Sequence, residues 1–192
     1  MSESRCLHCS KTFEPGLPAS VNVGRQPELK EEVLSGKFFL RECPHCGEVN
    51  LVKGDFLYLD PGKELLVCLS DSRLNAPEEL PGYVCRQVGA VGELIEKIKI
   101  ADAGLDDIAV EMCKLVTAQE LGKDVDLKFY SLDGADGEII FAYPQDSRME
   151  MVAVGFNVYE DCRGILGRNP SITTSAKGLC RIDKAWISQF FR

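Results

Sequence analysis

Alternation of apolar and polar residues dominates the early part of the chain and predicts short β-strands. The stretch "ASVNV" alternates in this way, and the runs "FLYLD", "ELLVCLS" and "YVCRQVG" are apolar enough to be buried strands. Pro61 and Gly62, between the first two of these runs, favour the centre of a type II turn. The stretches "KFFLRE" and "EVNLV" are also predicted to be extended. One short helix is predicted over "QPELKEEVLSG", with Pro27 in its first turn and Gly36 at its end.

The spacing of apolar residues becomes helical in the middle of the chain. Two sets of apolar residues fall at this spacing: Leu94, Ile95, Ile98 and Ala101, and then Leu105, Ile108, Met112, Leu115 and Val116. Asp106 or Asp107 is a suitable N-cap for the second helix, and Gly122 is a suitable end. The pattern therefore predicts a pair of helices joined near Gly104.

A spacing of two residues returns after Val125 and predicts further strands over "DLKFYSL", "EIIFAY" and "MEMVAVGFNVY". The chain closes on "GLCRIDKAWISQFFR". Four large apolar residues fall on one face of a predicted final helix here: Trp186, Ile187, Phe190 and Phe191. This helix is expected to dock on the core through that face.

Length and composition are those of an ordinary soluble globular protein, with 192 residues of which 45% are hydrophobic. No apolar run reaches the roughly 20 residues that a membrane span needs, and the first residues lack the features of a signal peptide. The nine cysteines are odd in number and come without an export signal, which indicates a reducing compartment. We therefore expect a cytoplasmic protein, away from membranes, whose cysteines bind metal rather than form disulfides.

Four of the nine cysteines lie in two C-x-x-C knuckles, "CLHCS" and "CPHCG". Two such turns from separate parts of the chain supply the four thiolates that hold zinc tetrahedrally. The predicted metal ligands are Cys6, Cys9, Cys43 and Cys46. Because four thiolates leave no coordination position for water or substrate, the expected role of the metal is structural. His8 and His45, inside the knuckles, are expected to point away from the metal.

Two alternatives to zinc arise from the same motif. A C-x-x-C pair can be a redox dithiol, but such a pair normally opens a helix, whereas both knuckles here lie between predicted strands. Paired knuckles also hold a single iron in rubredoxin, whose knuckle "CPHCG" resembles, and iron is the second choice. The other five cysteines are expected to pack in the core as small apolar residues, although Arg163 favours a thiolate at its neighbour: Cys68, Cys85, Cys113, Cys162 and Cys180.

Charge is distributed unevenly along the chain. The net charge is −1 over residues 1–55, −12 over residues 56–161 and +5 over residues 162–192. Nucleic-acid binding is disfavoured by the acidic middle, which would repel phosphate. Local binding of nucleic acid remains as an alternative. In it, the N-terminal zinc-ribbon-like element that carries the two knuckles acts together with the basic residues of the C-terminal part: Arg163, Arg168, Lys177, Arg181 and Lys184.

No catalytic motif is recognisable, so whether the chain is an enzyme stays open, with the balance against it. Nucleophilic catalysis commonly uses a histidine base, and both histidines lie in the knuckles. The glycines of "GAVGELIEK" lack the spacing of a phosphate-binding loop. The sequence therefore predicts a zinc-binding, non-catalytic binding or adaptor module whose protein or small-molecule partner and oligomeric state are unknown. An enzyme site within the acidic middle is a further alternative.

The run from "CLHCSKTFE" through "SVNV", "PELKEEVLSGKFF" and "CPHCGEVN" to "LYLDPGKELLVCL" resembles the CpXC domain of bacteria and archaea. The resemblance covers residues 5–70 and is expected to extend to residue 122. It implies that the four knuckle cysteines are the family's four cysteines and that the protein binds a metal. Leu7 departs from the proline of the family motif, and the family itself implies no substrate.

These patterns together predict an α+β fold. A zinc-ribbon-like N-terminal element, within residues 1–55, is built onto a mainly antiparallel β-sheet, with a helical pair in the middle and a C-terminal helix. Residues 1–122 form the predicted CpXC-like domain. Residues 123–192 form a β-rich segment with a terminal helix, packed either separately or as one unit with the first.

Overall fold

The computed structural model of the protein describes residues 3–72, 80–134 and 137–191. The chain forms two compact units, Met1–Ile95 and Glu96–Arg192, and each is described by itself. Helices and mainly antiparallel strands occur together, which confirms the α+β class. The assignment of residues 1–122 and 123–192 to two domains stays a prediction. In the described part of the chain, no helix combines the length and the apolar composition needed to cross a membrane.

The first unit contains two small hairpins and a four-stranded sheet. Its elements are β1 (Ser4–Arg5), β2 (Thr12–Phe13), β3 (Ser20–Asn22), α1 (Leu29–Leu34), β4 (Leu40–Glu42), β5 (Val49–Leu51), β6 (Phe56–Asp60), β7 (Leu65–Leu69), β8 (Val84–Val88) and the start of α2 (Val91–Asp102). Antiparallel pairs β1–β2 and β4–β5 form the hairpins. The sheet has the order β3-β6-β7-β8, with β6 and β7 antiparallel and each outer strand parallel to its neighbour.

Aromatic packing corrects the prediction of an extended "KFFLRE". Lys37–Phe39 is a 3-10 turn, and only Leu40–Glu42 is a strand. Gly36 takes the left-handed conformation (φ 75°) after α1, as predicted for a helix end. The turn lets both phenylalanines point inward, because Phe39 packs edge-on against Phe56 with ring centroids 5.2 Å apart.

The connection between β6 and β7 also differs from its prediction. Pro61–Lys63 is a 3-10 turn rather than a type II turn, and the positive φ lies at Glu64 (48°) instead of Gly62. The cause is Asp60, whose carboxylate accepts hydrogen bonds from the backbone N–H groups of Gly62 and Lys63. This cap stabilises the helical turn, since it satisfies donors that a type II turn would leave free.

The second unit is a three-stranded antiparallel sheet with helices. Its elements after α2 are α3 (Asp107–Glu120), β9 (Lys128–Asp133), β10 (Glu138–Gln145), β11 (Arg148–Gly155), α4 (Phe156–Arg168), α5 (Pro170–Ser175) and α6 (Lys184–Ser188). The strand order is β11-β10-β9. Asp106 caps α3 by accepting hydrogen bonds from Ile108 N (2.8 Å) and Ala109 N (3.1 Å), and Gly122 (φ 63°) follows the helix end, as predicted.

The C-terminal part is more helical than its pattern predicts. The strand expected over "MEMVAVGFNVY" ends at Gly155, and Phe156 begins the helix α4. The reason is tertiary packing, because Tyr159, Cys162 and Leu166 recur at helical spacing and are buried in the core of this unit. The final helix is shorter than expected at five residues, with Ile187 fully buried and Phe191 exposed.

Candidate metal centre

The first knuckle is the turn of the β1–β2 hairpin. Cys6 N donates to Lys11 O (2.9 Å), and Ser10 N donates to Cys6 O (3.0 Å), so the chain folds back within five residues. Ser10 takes a left-handed conformation with φ 61° to complete this turn. The hydrogen bonds place Cys6 and Cys9 side by side at the end of the hairpin.

The second knuckle repeats this geometry at the end of the β4–β5 hairpin. Cys43 N donates to Glu48 O (2.8 Å), and Gly47 N donates to Cys43 O (2.9 Å). Gly47 has φ 75°, the conformation that glycine adopts without a steric penalty, in the position equivalent to Ser10. Two hairpins of separate sequence thus present two thiols each in the same way.

All four predicted ligands converge in the structure. Their sulfur atoms lie within 4.8 Å of one another, and they are Cys6, Cys9, Cys43 and Cys46. Two of the sulfur pairs are Cys6–Cys46 at 3.6 Å and Cys9–Cys43 at 3.7 Å. A regular tetrahedron with metal–sulfur bonds of about 2.3 Å has edges of about 3.8 Å, so the donor set fits a four-thiolate zinc site. The same arrangement also fits iron.

Hydrogen bonding favours the thiolate form of Cys6 at the inner side of the cluster. Cys6 and Cys43 are buried against Phe13 and Val52, whereas Cys46 is exposed. The backbone N–H of Cys9, with smaller help from His8 and Asn50, lowers the pKa of the Cys6 thiol to about 6 against the opposing effect of burial. Amide groups that point at sulfur stabilise negative charge there, which prepares the site for a cation.

The pKa of the exposed thiol, Cys46, is shifted in the opposite direction. The backbone N–H of Glu48 lowers the pKa of Cys46. Partial desolvation of its sulfur and the three neighbouring thiols outweigh this effect and raise that pKa to about 12, although the residue as a whole is exposed. Four sulfurs at this distance do not all carry charge without a cation among them. The electrostatics of the cluster thus favour a bound metal ion.

Asn50 supports the cluster, although the knuckle motifs do not predict this role. Its Oδ1 accepts a hydrogen bond from Leu7 N (3.0 Å), and its Nδ2 lies 3.5 Å from Cys6 Sγ and 2.9 Å from Glu48 O. The side chain is buried and joins both knuckles. A polar residue at the inward position of "EVNLV", next to a C-x-x-C knuckle, is the only signal of this role that the sequence contains.

The histidines and the remaining cysteines lie outside the four-sulfur group of the described residues. His45 Nε2 is 3.2 Å from the backbone oxygen of Thr12, and His8 is exposed. Among the other cysteines, Cys180 is half-buried. The remaining four are buried, in keeping with the expected core packing: Cys68, Cys85, Cys113 and Cys162.

Comparison with known families agrees with this geometry. A family model described as CpXC protein matches residues 5–114, which is more than half of the chain. The protein therefore belongs to the CpXC family, as the residues around the two knuckles predict. Searches of curated proteins and of solved structures returned no significant match.

Replacing Asn50 with alanine should weaken zinc binding by about 10- to 100-fold, the usual effect of removing a group that orients a metal ligand. The substitution removes the donor to Cys6 Sγ and leaves Leu7 N without its acceptor. Competition with a chromophoric chelator measures the affinity. His45→Ala is the matched control, because the described hydrogen bond of that ring is with the backbone oxygen of Thr12 and not with a cysteine sulfur. Equal affinities for the two variants would contradict the role of Asn50.

Proposed function

We propose that the protein is a zinc-binding, non-catalytic binding module whose N-terminal ribbon is held together by a structural metal ion. The observation that supports this proposal is the convergence of four cysteine sulfurs within 4.8 Å at the ends of two hairpins. Four thiolates satisfy tetrahedral zinc completely, which leaves no open position for water or substrate. Zinc is preferred over iron because the described side chains buried against the knuckle cysteines include one aromatic ring, Phe13, rather than the aromatic shell of rubredoxin.

The partner proposed for this module is a protein, and the exposed face of the β4–β5 hairpin supports this choice. Leu40 is opposite Leu51 in the hairpin, and Val49 lies two residues from Leu51, so the three side chains share one face. They are 42%, 61% and 58% exposed, respectively, and Leu7 is 90% exposed. Apolar side chains grouped on a surface are typical of protein interfaces.

Charge supports a protein partner over nucleic acid. Two cations of the basic C-terminal part are paired with carboxylates, Arg181 with Asp183 at 3.0 Å and Lys184 with Asp124. Phosphate recognition requires cations that are free to replace counterions. Nucleic-acid binding through the remaining basic residues stays the alternative, and retention on DNA or RNA that falls steeply with salt is its signature.

The second unit, Glu96–Arg192, offers little support for an enzyme site in the acidic middle of the chain. Five charged side chains of that region are buried and form ion pairs with one another: Glu96, Lys97, Asp107, Glu111 and Lys114. They are buried, and the cavity that Glu111 and Lys114 line has a volume of about 10 Å³, which is too small for a substrate. A cytoplasmic location is proposed because nine free thiols persist only in a reducing compartment.

Metal analysis of the protein as purified tests the proposal. We expect one equivalent of zinc per chain and a colourless solution, measured by mass spectrometry of the metal and by absorbance. A red protein with one equivalent of iron would show that the metal is iron and not zinc, and the structural role would remain. A folded, protease-resistant protein without any metal would contradict the proposal, since a ribbon held together by a metal ion opens when that ion is absent.

A further inference from the structure

Two thiols face each other inside the second unit, far along the chain from the knuckles. Cys113 lies in α3 and Cys162 in α4, and both are buried, with exposures of 0% and 2%. Their sulfur atoms are 3.6 Å apart. This separation is a contact distance between sulfurs, and a disulfide of about 2.0 Å requires them to approach by roughly 1.6 Å. The pair is therefore poised for a covalent bond between two helices that already pack together.

The two thiols are chemically unequal. Cys113 Sγ donates a hydrogen bond to Cys162 Sγ, so the negative charge of an ionised pair rests on Cys162. This hydrogen bond lowers the pKa of Cys162, although burial and Asp161 oppose it. The same hydrogen bond, with burial, raises the pKa of Cys113. Because the thiolate is the nucleophile in oxidation, Cys162 is the sulfur that reacts first.

An open cleft of the second unit is lined in part by residues of α4 that follow Cys162. It has a volume of about 260 Å³ and is lined by Asp106, Arg163, Leu166, Gly167, Pro170 and Thr173. Leu166 follows Cys162 by one helical turn, so the cleft borders the helix face that carries the thiol. The cleft has room for a molecule as small as hydrogen peroxide within one helical turn of Cys162.

We propose that Cys113 and Cys162 form a peroxide-sensitive dithiol that closes reversibly into a disulfide between α3 and α4. In the first step, Cys162 sulfur attacks one peroxide oxygen and the O–O bond breaks. The thiol proton leaves with the departing oxygen as water, and Cys162 becomes a sulfenic acid. In the second step, Cys113 sulfur attacks the sulfenic sulfur, the S–O bond breaks and a second water leaves. Two thiols and one peroxide thus give one disulfide and two waters, and a thiol reductant reverses the bond.

The disulfide would join two parts of the chain that differ in their match to the family model. Cys113 lies within the segment that the family model matches, residues 5–114, and Cys162 lies beyond it. The disulfide would therefore tie the matched segment covalently to the C-terminal helix α4. Rare intracellular disulfides are usually transient and redox-sensing, which is the class that this pair fits. The inference concerns the second unit alone and does not depend on the metal proposed for the ribbon.

Peptide mapping of the whole protein tests the inference. The protein as purified is treated with increasing hydrogen peroxide, its remaining thiols are alkylated under denaturing conditions, and the products are digested with trypsin. The peptides 100–114 and 149–163 contain one cysteine each, Cys113 and Cys162, so their disulfide-linked product has a unique mass. We expect this product to form and to disappear on reduction. Both peptides in the alkylated form at every peroxide dose would overturn the inference, as would either cysteine linked elsewhere.

Single variants test the order of the two steps. In Cys113→Ser, peroxide should leave a sulfenic acid on Cys162 that dimedone traps, whereas Cys162→Ser should give no dimedone adduct on Cys113. Cys180→Ser is the control, because Cys180 is half-buried in the same unit. In this variant the cross-link between Cys113 and Cys162 should form as in the unchanged protein. Oxidation of the unchanged protein should also raise the thermal midpoint by roughly 10 °C, since the bond closes a long loop. An adduct on Cys113 alone, or an unchanged midpoint despite complete cross-linking, would contradict the mechanism proposed.

Discussion

Replacing Cys43 with serine should release the metal and open the N-terminal ribbon to protease. Structural zinc contributes on the order of 10 kcal/mol to small domains of this kind at neutral pH. Among the residues that the structure describes, the buried cluster beneath the two hairpins consists of Phe13 and Val52 besides Cys6 and Cys43, with Cys9 packed at its edge. So small an apolar cluster does not hold two short hairpins together without the metal. We therefore expect metal content to fall from one equivalent to nearly none.

Limited proteolysis shows where the structure is lost. In the Cys43→Ser variant, trypsin should cleave early after Arg5 and Lys11, on either side of the first knuckle. Cys180→Ser is the control, since it removes a thiol outside the four-sulfur group and should keep both the metal and the resistance of the ribbon. Unchanged metal content and unchanged protease resistance in Cys43→Ser would show that the four cysteines do not form a structural metal site.

The four cysteines of the candidate metal centre are predictable from sequence because each knuckle is a local feature. A C-x-x-C turn fixes the relation of two sulfurs through hydrogen bonds within a few residues, such as Gly47 N to Cys43 O. The pairing of the two knuckles then follows from the number of ligands that zinc needs. Asn50 is not predictable in this way, because its role rests on contacts with Leu7 and Cys6, more than forty residues away.

The helix α4 shows the opposite case, in which the local pattern points to the wrong element. Val152 and Val154 alternate as strand residues, and β-branched and aromatic residues continue after them, which favours a strand. Gly164 and Gly167 lower the intrinsic tendency of the following segment to form a helix. The structure forms a helix nevertheless, because only that spacing places Tyr159 among the buried residues of the second unit. Tertiary burial outweighs local propensity here.

The acidic middle of the chain also changes meaning once the fold is known. Its carboxylates suggest a surface that repels phosphate, but Glu96, Asp107 and Glu111 are buried. They pair with Lys97 and Lys114, which lie 3 to 18 residues away from them in the chain. Charge counted along a sequence cannot show this pairing, because it arises where α2, α3 and β9 meet. Part of the negative charge is thus neutralised inside the second unit.

Lys114 is the centre of this buried group of charges. Its Nζ lies 2.6 Å from Glu111 Oε1 and 3.0 Å from Glu96 Oε1. Glu96 Oε1 also accepts a hydrogen bond from Phe129 N (2.6 Å), so the same carboxylate holds the edge of β9. Burial alone would lower the pKa of Lys114, but Glu111 and Glu96 raise it to about 12. Burial raises the pKa of Glu111, against the effect of Lys114 and Lys97.

Replacing Lys114 with methionine should therefore lower the free energy of unfolding by about 3–5 kcal/mol at neutral pH. Methionine keeps the length and the apolar stem of lysine but removes the cation. The buried Glu111 then has the longer 3.9 Å pair with Lys97, and the buried Glu96 has the 3.9 Å pair with Lys128. Urea denaturation, followed by the fluorescence of the single tryptophan, Trp186, measures the change. Lys177→Met is the matched control at an exposed position and should change stability by less than about 0.5 kcal/mol.

The loss of stability in Lys114→Met should shrink as the pH falls. The positive charge of Lys114 lowers the pKa of Glu111. When that charge is removed, the pKa of Glu111 rises further above its unfolded value of 4.5. A carboxyl group whose pKa is raised by folding binds its proton more tightly in the folded state. Its contribution to stability is therefore fully present below the pKa of the unfolded state, and it is lost as the pH rises through the pKa of the folded state. Protonated Glu111 no longer needs a counterion, and the variant should approach the unchanged protein near pH 4.5. A difference in unfolding free energy that stays constant between pH 4.5 and pH 7, or one below about 1 kcal/mol at neutral pH, would show that the buried charges do not depend on Lys114.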